Sequence, residues 1–256
     1  MIIRKSAAEL DAMAQGGAIV ADTLALLSEH VRPGVTTEEL DRLADEYIRS
    51  RGGVSSFYHY PGPYPYPAAT CLSLNDVVVH GIPGDDVLAD GDVLSVDVGV
   101  TYEGFVADSA YTFKVGEVDA EAERLLEACE AALWAGIDKA RAGAHLSDIS
   151  HAVQTVTEEG GFSVVRSLVG HGVGRNMHED PQIPNFGEPG HGPVLAPGMT
   201  LAIEPMITAG GPEVVVREDR WTIATRDGSR AAHFEHSVAV TDGEPRILTA
   251  VPIRVS

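Results

Sequence analysis

Apolar and polar positions along the chain spell out two helices followed by strands, and then the same order again. After the capping box Ser6-Ala-Ala-Glu9, the residues Leu10, Met13, Ile19, Leu24 and Leu27 recur at helical spacing. They predict a long amphipathic helix that stops near Arg32-Pro33-Gly34. Thr36 and Glu39 make a second capping box, and the helix it opens ends at Gly52-Gly53. The Pro/Tyr/Gly-rich stretch His59–Pro67 favours turns, and strand-like runs follow at Thr70–Leu74, Val77–Val79 and Asp92–Thr101. From Asp119 the order restarts. Leu125, Cys129, Leu133 and Ile137 at i+4 steps predict a helix ending near Arg141-Ala142-Gly143, and another starts near Ser147. Strands are then expected at Ser163–Val169, Thr200–Ile207, Glu213–Arg217 and Ala231–Val240.

The two helix–helix junctions share a pattern. Arg32-x-Gly34 with Leu40 matches Arg141-x-Gly143 with Ile149, each position being offset by 109 residues. With the repeated helix–helix–strand order, this points to a duplicated α+β unit. Two such units side by side would set their sheets around a shared cleft. The 256 residues suit one large domain, residues 1–256, with internal halves near 6–117 and 119–250.

Composition narrows the function classes. The 38 Asp and Glu against 18 Lys and Arg give a formal net charge of −20, which repels phosphate. Extensive nucleic-acid binding and anionic-membrane binding are therefore not expected. Cys71 and Cys129 lie far apart in no CxxC pattern, so neither a disulfide framework nor a zinc knuckle is predicted. The first residues lack the apolar core of a signal peptide, and no apolar run is expected to span a bilayer. A reduced, cytoplasmic protein is the expectation.

Four carboxylates stand out because they interrupt apolar strands. In Leu94–Val100 the apolar side chains alternate to one face and Asp97 takes the other. A turn near Tyr102–Gly104 brings Asp108 back on the partner strand. With Tyr102-Glu103 as the loop, Asp97 and Asp108 are directly opposite; with Glu103-Gly104 they are diagonal neighbours on one face. Glu204 sits in Met199–Pro205, opposed to Met199, Leu201 and Ile203. Glu235 shares a face with His233, against Phe234, Val238 and Val240. A solvent-facing sheet would excuse any one of these acids. Buried without a partner, each would cost several kcal/mol, and a cation between them would remove that cost.

Histidines complete the set. His80 ends an apolar run at Val77–Pro83, His171 lies in Gly170-His-Gly-Val-Gly174, and His178 precedes Glu179-Asp180. The HGxG loop raises a serine-hydrolase reading, but no GxSxG elbow accompanies it, and neither HExxH nor a P-loop is present. Carboxylates with one imidazole and no thiolate form an oxygen-rich donor set suited to Mn, Fe(II), Co or Zn.

Over essentially its whole length the sequence resembles the bacterial type I methionine aminopeptidases. The residues that carry the likeness are Tyr66-Pro67, Cys71-x-Ser73-x-Asn75, His80-Gly-Ile-Pro83, Asp97, Asp108, Gly170-His171-Gly-x-Gly174, His178-Glu179, Ile203-Glu204-Pro205, Trp221 and Glu235-His236. The resemblance implies the pita-bread fold, two pseudo-symmetric α+β halves around a central metal cleft. It also implies two divalent metal ions (Co, Mn, Fe(II) or Zn) held by Asp97, Asp108, His171, Glu204 and Glu235. Asp108 and Glu235 would bridge them, Asp97 would hold one ion, and His171 with Glu204 the other. A water shared by two such cations loses a proton near neutral pH and attacks the first peptide bond, with Glu204 relaying the proton. The resemblance further places His178 on the substrate carbonyl and His80 on the scissile amide. Tyr66, Cys71, Met177, Trp221 and His80 would wall the methionine side chain. Many relatives have an aromatic residue where this chain has Met177, and the Tyr/Pro loop around Pro61–Pro67 is slightly extended.

The implied substrates are nascent polypeptide N-termini with a small second residue, cut by a monomer. Any ribosome contact is expected to be local and weak, given the acidity. Prolidases, proline aminopeptidases and creatine hydrolases share the fold but carry a large N-terminal domain, whereas the first half here begins at Ser6. The type II enzymes insert a helical subdomain between the last two ligands, where this chain has only 30 residues between Glu204 and Glu235. A non-catalytic pita-bread binding module would be expected to lose ligands, and here all five are present.

Overall fold

The structure is a computed structural model that describes residues 1–250. Its elements run α1 (Ala7–Ser28), α2 (Thr37–Ser50), β1 (Val54–Ser55), β2 (Cys71–Leu74), β3 (Val77–Val79), β4 (Val93–Tyr102) and β5 (Phe105–Lys114). Then come α3 (Ala120–Lys139), α4 (Leu146–Glu159), β6 (Ser163–Val164), β7 (Val169–Gly172), β8 (Glu179–Pro184), β9 (Thr200–Ile203) and β10 (Met206–Thr208). The last are β11 (Val214–Val216), β12 (Ile223–Thr225), β13 (Ala231–His233), β14 (His236–Ala239) and β15 (Arg246–Ile247). Both predicted capping boxes form, with Ser6 and Thr36 accepting from the Glu9 and Glu39 amides.

The two helix pairs are equivalent down to backbone contacts. The Gly34 amide donates to the Leu88 carbonyl at 2.8 Å, and the Gly143 amide to the Leu195 carbonyl at 2.9 Å. Gly34 and Gly143 hold φ of 89° and 90°, in the left-handed region that a side chain strains to enter. The residues that begin the second helices, Thr36 and His145, make matching bridges to Val87 and Val194.

Each half has its own core. In the first, Leu24, Leu27, Leu40 and Ile48 pack on Leu94, Val96, Val98 and Val100, leaving the other face of β4 to Asp97. In the second, Leu125, Leu133 and Ile149 pack on Leu201, Ile203 and Val238. Burying such side chains stabilises by about 1.5–3 kcal/mol each. The helix α1 corrects one expectation, since by length and composition it is apolar enough to cross a membrane. Its Met13, Val20, Leu24 and Leu27 are instead fully buried, and it packs on β4 and β5 as a core helix.

Three predicted strands are each two. The run Ser163–Val169 divides into β6, which pairs with β10, and β7, which pairs with β8 and β9. Thr200–Ile207 divides at Glu204-Pro205, where Pro205 has no amide to continue the ladder. Ala231–Val240 divides at Phe234-Glu235, so that β13 joins β10 in one sheet while β14 joins β9 in another. The sequence pattern did not mark β8, whose polar and proline positions hide its alternation.

Candidate metal centre

The β4–β5 hairpin settles the first pair of acids. Its two-residue turn is Glu103-Gly104, both at positive φ (47° and 79°), as the type I′ hairpin turn requires. Asp97 stands opposite Ala110 and Asp108 opposite Gly99, so the two carboxylates are diagonal neighbours on one face. That face is covered, leaving Asp97 and Asp108 buried.

The second pair sits where strands break. Glu204 follows the last residue of β9, and the Asn185 side-chain amide fixes its carbonyl at 2.8 Å. Glu235 lies between β13 and β14, and its amide donates to the Ala110 carbonyl of β5 at 2.9 Å, tying the second half to the first. His171 comes from β7. Its Nδ1–H donates to the Gly172 carbonyl at 2.9 Å, which leaves the Nε2 lone pair 3.3 Å from Glu204 Oε1. Atoms of Asp108, His171 and Glu235 that could ligate a metal lie within 4.8 Å of one another.

Electrostatics at this point are those of a site built for a cation. Burial, then the charges of Asp108 and Glu204, hold the Asp97 carboxyl well above its usual range. Burial and neighbouring acids do the same to Glu204 and Glu235, and burial raises Asp108 to about 7. Burial and then His178 lower His171 to about 4, so its imidazole is neutral at physiological pH. Asp97 Oδ1, Asp108 Oδ1, Glu235 Oε1 and His233 Nε2 are buried without a hydrogen-bond partner from the protein. Orphaned buried acceptors of this kind are rare and expensive, and no Lys or Arg lines the cavity among the described residues. Oxygen donors with a neutral imidazole and no counter-charge fit a divalent metal.

All eleven residues singled out from the sequence line one cavity of about 240 Å³: Tyr66, Cys71, His80, Asp97, Asp108, His171, Met177, His178, Glu204, Trp221 and Glu235. Away from the acids, the Tyr66 and Trp221 rings meet edge to face at 5.2 Å, and His80 meets Trp221 in the same way at 6.2 Å. The Tyr66 hydroxyl donates to the Gly81 carbonyl at 2.9 Å, and Trp221 Nε1–H to the Tyr64 carbonyl at 3.1 Å. Burial lowers His80 to about 4 and raises the Cys71 thiol.

Sequence reasoning missed four contributors of note. His233 lines the cavity with Nε2 at 3.8 Å from Glu204 Oε2 and 3.7 Å from Glu235 Oε2, whereas the sequence pattern only puts it on the face of Glu235. The Tyr60 hydroxyl lies 2.6 Å from His178 Nδ1. Phe57 and Leu168 add apolar wall. The alternation around Glu235 could have marked His233, whereas nothing in the Tyr/Pro loop distinguishes Tyr60 from its neighbours.

Comparison with known proteins agrees with this geometry. The family model described as Metallopeptidase family M24 matches residues 11–242. The chain is 49% identical over 251 residues to the methionine aminopeptidase of Clostridium perfringens, covering 98% of this chain and 100% of that protein. It is 48% identical to methionine aminopeptidase 1 of Bacillus subtilis over the same shares. The crystal structure of methionine aminopeptidase from Thermotoga maritima matches with a TM-score of 0.95 at 44% identity, over 97% of this chain and 99% of that one. The prolidase from Pyrococcus furiosus matches with a TM-score of 0.79 at 19% identity, over 98% of this chain but 66% of its own, a likeness of fold alone. With its pita-bread fold and buried acidic cavity, the chain belongs to metallopeptidase family M24.

Proposed function

We propose that the chain is a type I methionine aminopeptidase, which hydrolyses the first peptide bond to remove an N-terminal methionine. The observation that carries this reading is the gathering of four carboxylates, three of them buried and Glu204 nearly so, with a neutral imidazole beside an aromatic, sulfur-bearing pocket. The near-full-length likeness to methionine aminopeptidases supports it.

Asp97, Asp108, His171, Glu204 and Glu235 would hold two divalent ions. The mutual approach of Asp108, His171 and Glu235 supports a metal held by those three. Bound there, Co, Mn, Fe(II) or Zn supplies Lewis acidity toward a carbonyl and lowers the pKa of a coordinated water. Glu204 takes the proton released by the attacking water and passes it to the leaving amine. His178, braced by Tyr60, meets the substrate carbonyl, and His80 meets the scissile amide. Tyr66 and Trp221 present ring edges, and Met177 and Cys71 polarisable sulfur, to a thioether side chain. The substrates are nascent chains with a small second residue, met in the cytoplasm by a monomer whose acidity keeps ribosome contact local.

Two measurements test this. Prolonged chelation is expected to abolish hydrolysis, and Mn, Co or Fe(II) to restore it; full activity in lasting chelator excludes a metal role. On metal-loaded enzyme, Met-Ala-Ser is expected to be cut faster than an X-Pro peptide. The reverse order moves the protein to the proline-specific branch of the family.

A further inference from the structure

Outside the cavity, one buried ion pair has no part in the chemistry above. Lys5 Nζ lies 2.6 Å from Glu179 Oε2, with side-chain exposures of 4% and 6%. Such a pair gives little net stability, because removing both charges from water offsets their attraction. What it does fix is geometry. While Oε2 meets the ammonium, Glu179 Oε1 accepts the Arg175 amide at 2.8 Å and the Asn176 amide at 3.2 Å. Arg175, Asn176 and Glu179 are thus gathered on one carboxylate, and the two residues between them, Met177 and His178, line the cavity. Lys5 is itself anchored, its amide donating to the Gly198 carbonyl at 2.7 Å and Nζ to the Ile3 carbonyl at 3.3 Å. Gly174 leaves it room, since a Cβ there would come within 2.5 Å of Lys5 Cε.

We propose that Lys5 is a positioning residue that, through Glu179, holds the Arg175–Glu179 loop so that Met177 and His178 meet the substrate. This rests on the reading that those two side chains contact the substrate. A displacement of about 1 Å at such a contact can lower the rate about a hundredfold, and neither Lys5 nor Glu179 lines the cavity.

The test compares wild type with Lys5→Met, Glu179→Gln and the double variant, all loaded with Mn. Lys5→Met is expected to lower kcat on Met-Ala-Ser by about tenfold or more, with Mn affinity by calorimetry unchanged. Preference for Met-Ala-Ser over Leu-Ala-Ser should narrow, because Met177 loses its place. The Arg175 and Asn176 amides should exchange hydrogen faster, while those of β4 and β5 do not. The double variant should be no worse than Lys5→Met alone, as expected of one linked device. Should Lys5→Met fail to fold, Glu179→Gln carries the same readouts. Unchanged selectivity and loop exchange, or a rate loss that only follows the fraction unfolded, overturns the proposal. Wild type that leaves Met-Ala-Ser intact overturns the aminopeptidase reading instead, and loop exchange then decides whether the tether exists.

Discussion

The two halves supply their acids in different ways. Glu204 follows Asp97 by 107 residues and Glu235 follows Asp108 by 127, so each half gives two. In the first half both stand in the middle of ten-residue strands, and one tight turn sets their spacing. In the second half both stand at breaks, where the chain leaves one sheet for another. A hairpin fixes its pair by local register, whereas the broken strands fix theirs only once two sheets and the first half are assembled. The same chemistry is thus built once from local geometry and once from tertiary geometry.

The sharpest test of that contrast is a one-residue insertion between Glu103 and Gly104. It turns over the alternation of one strand, so Asp97 and Asp108 can no longer share a face. Activity and Mn binding are both expected to vanish, and survival of either would mean that register does not set the pair. Next in size is Glu204→Gln against its counterpart Asp97→Asn. Loss of a general acid–base is expected to lower kcat about 10²–10⁴-fold without unfolding the chain. Asp97→Asn should regain much of its rate as Mn is raised, by mass action, whereas Glu204→Gln should not. A normal rate in Glu204→Gln removes its proton-relay role.

Metal-free Asp108→Asn is expected to gain stability. In the fold the Asp108 carboxyl holds its proton up to about 7, while unfolded it releases it near 3.8. A raised carboxyl pKa means stability is lost as pH rises from about 4 to 7, and Asn escapes that loss. Urea melts at pH 8 should therefore show the variant more stable by roughly 2–4 kcal/mol, with the difference fading toward pH 4. An equal or less stable variant at pH 8 would contradict the uncompensated charge. The smallest effect tests the equivalence of the halves: Gly34→Ala and Gly143→Ala, at matching φ with open space around each, should cost about 1–2 kcal/mol apiece in thermal melts. Unequal costs would show that the junctions differ.

Much of this was legible in the sequence for physical reasons. Capping boxes act within one turn, so the starts of α1 and α2 were readable, and alternation in Leu94–Val100 correctly placed Asp97 away from the core. The spacing allows two loops for the turn, and backbone conformation chooses between them. Periodicity could not mark where a strand changes sheets, because apolar alternation continues across Glu204-Pro205 and Phe234-Glu235 while the hydrogen-bond partners change. Nor could it separate α1, a core helix, from a membrane span, since both are long and apolar.

The sequence by itself therefore determined the repeated helix–helix–strand order, the hairpin pair and the set of donor types, since all three depend on near-neighbour sterics or residue chemistry. Tertiary structure alone decided that Asp97, Asp108 and Glu235 are buried together with Glu204 beside them, that Tyr60 joins them, and that Lys5 reaches Glu179 across 174 positions. Burial and charge coupling are properties of what packs against a residue, and the residue's own neighbourhood in the chain does not encode them.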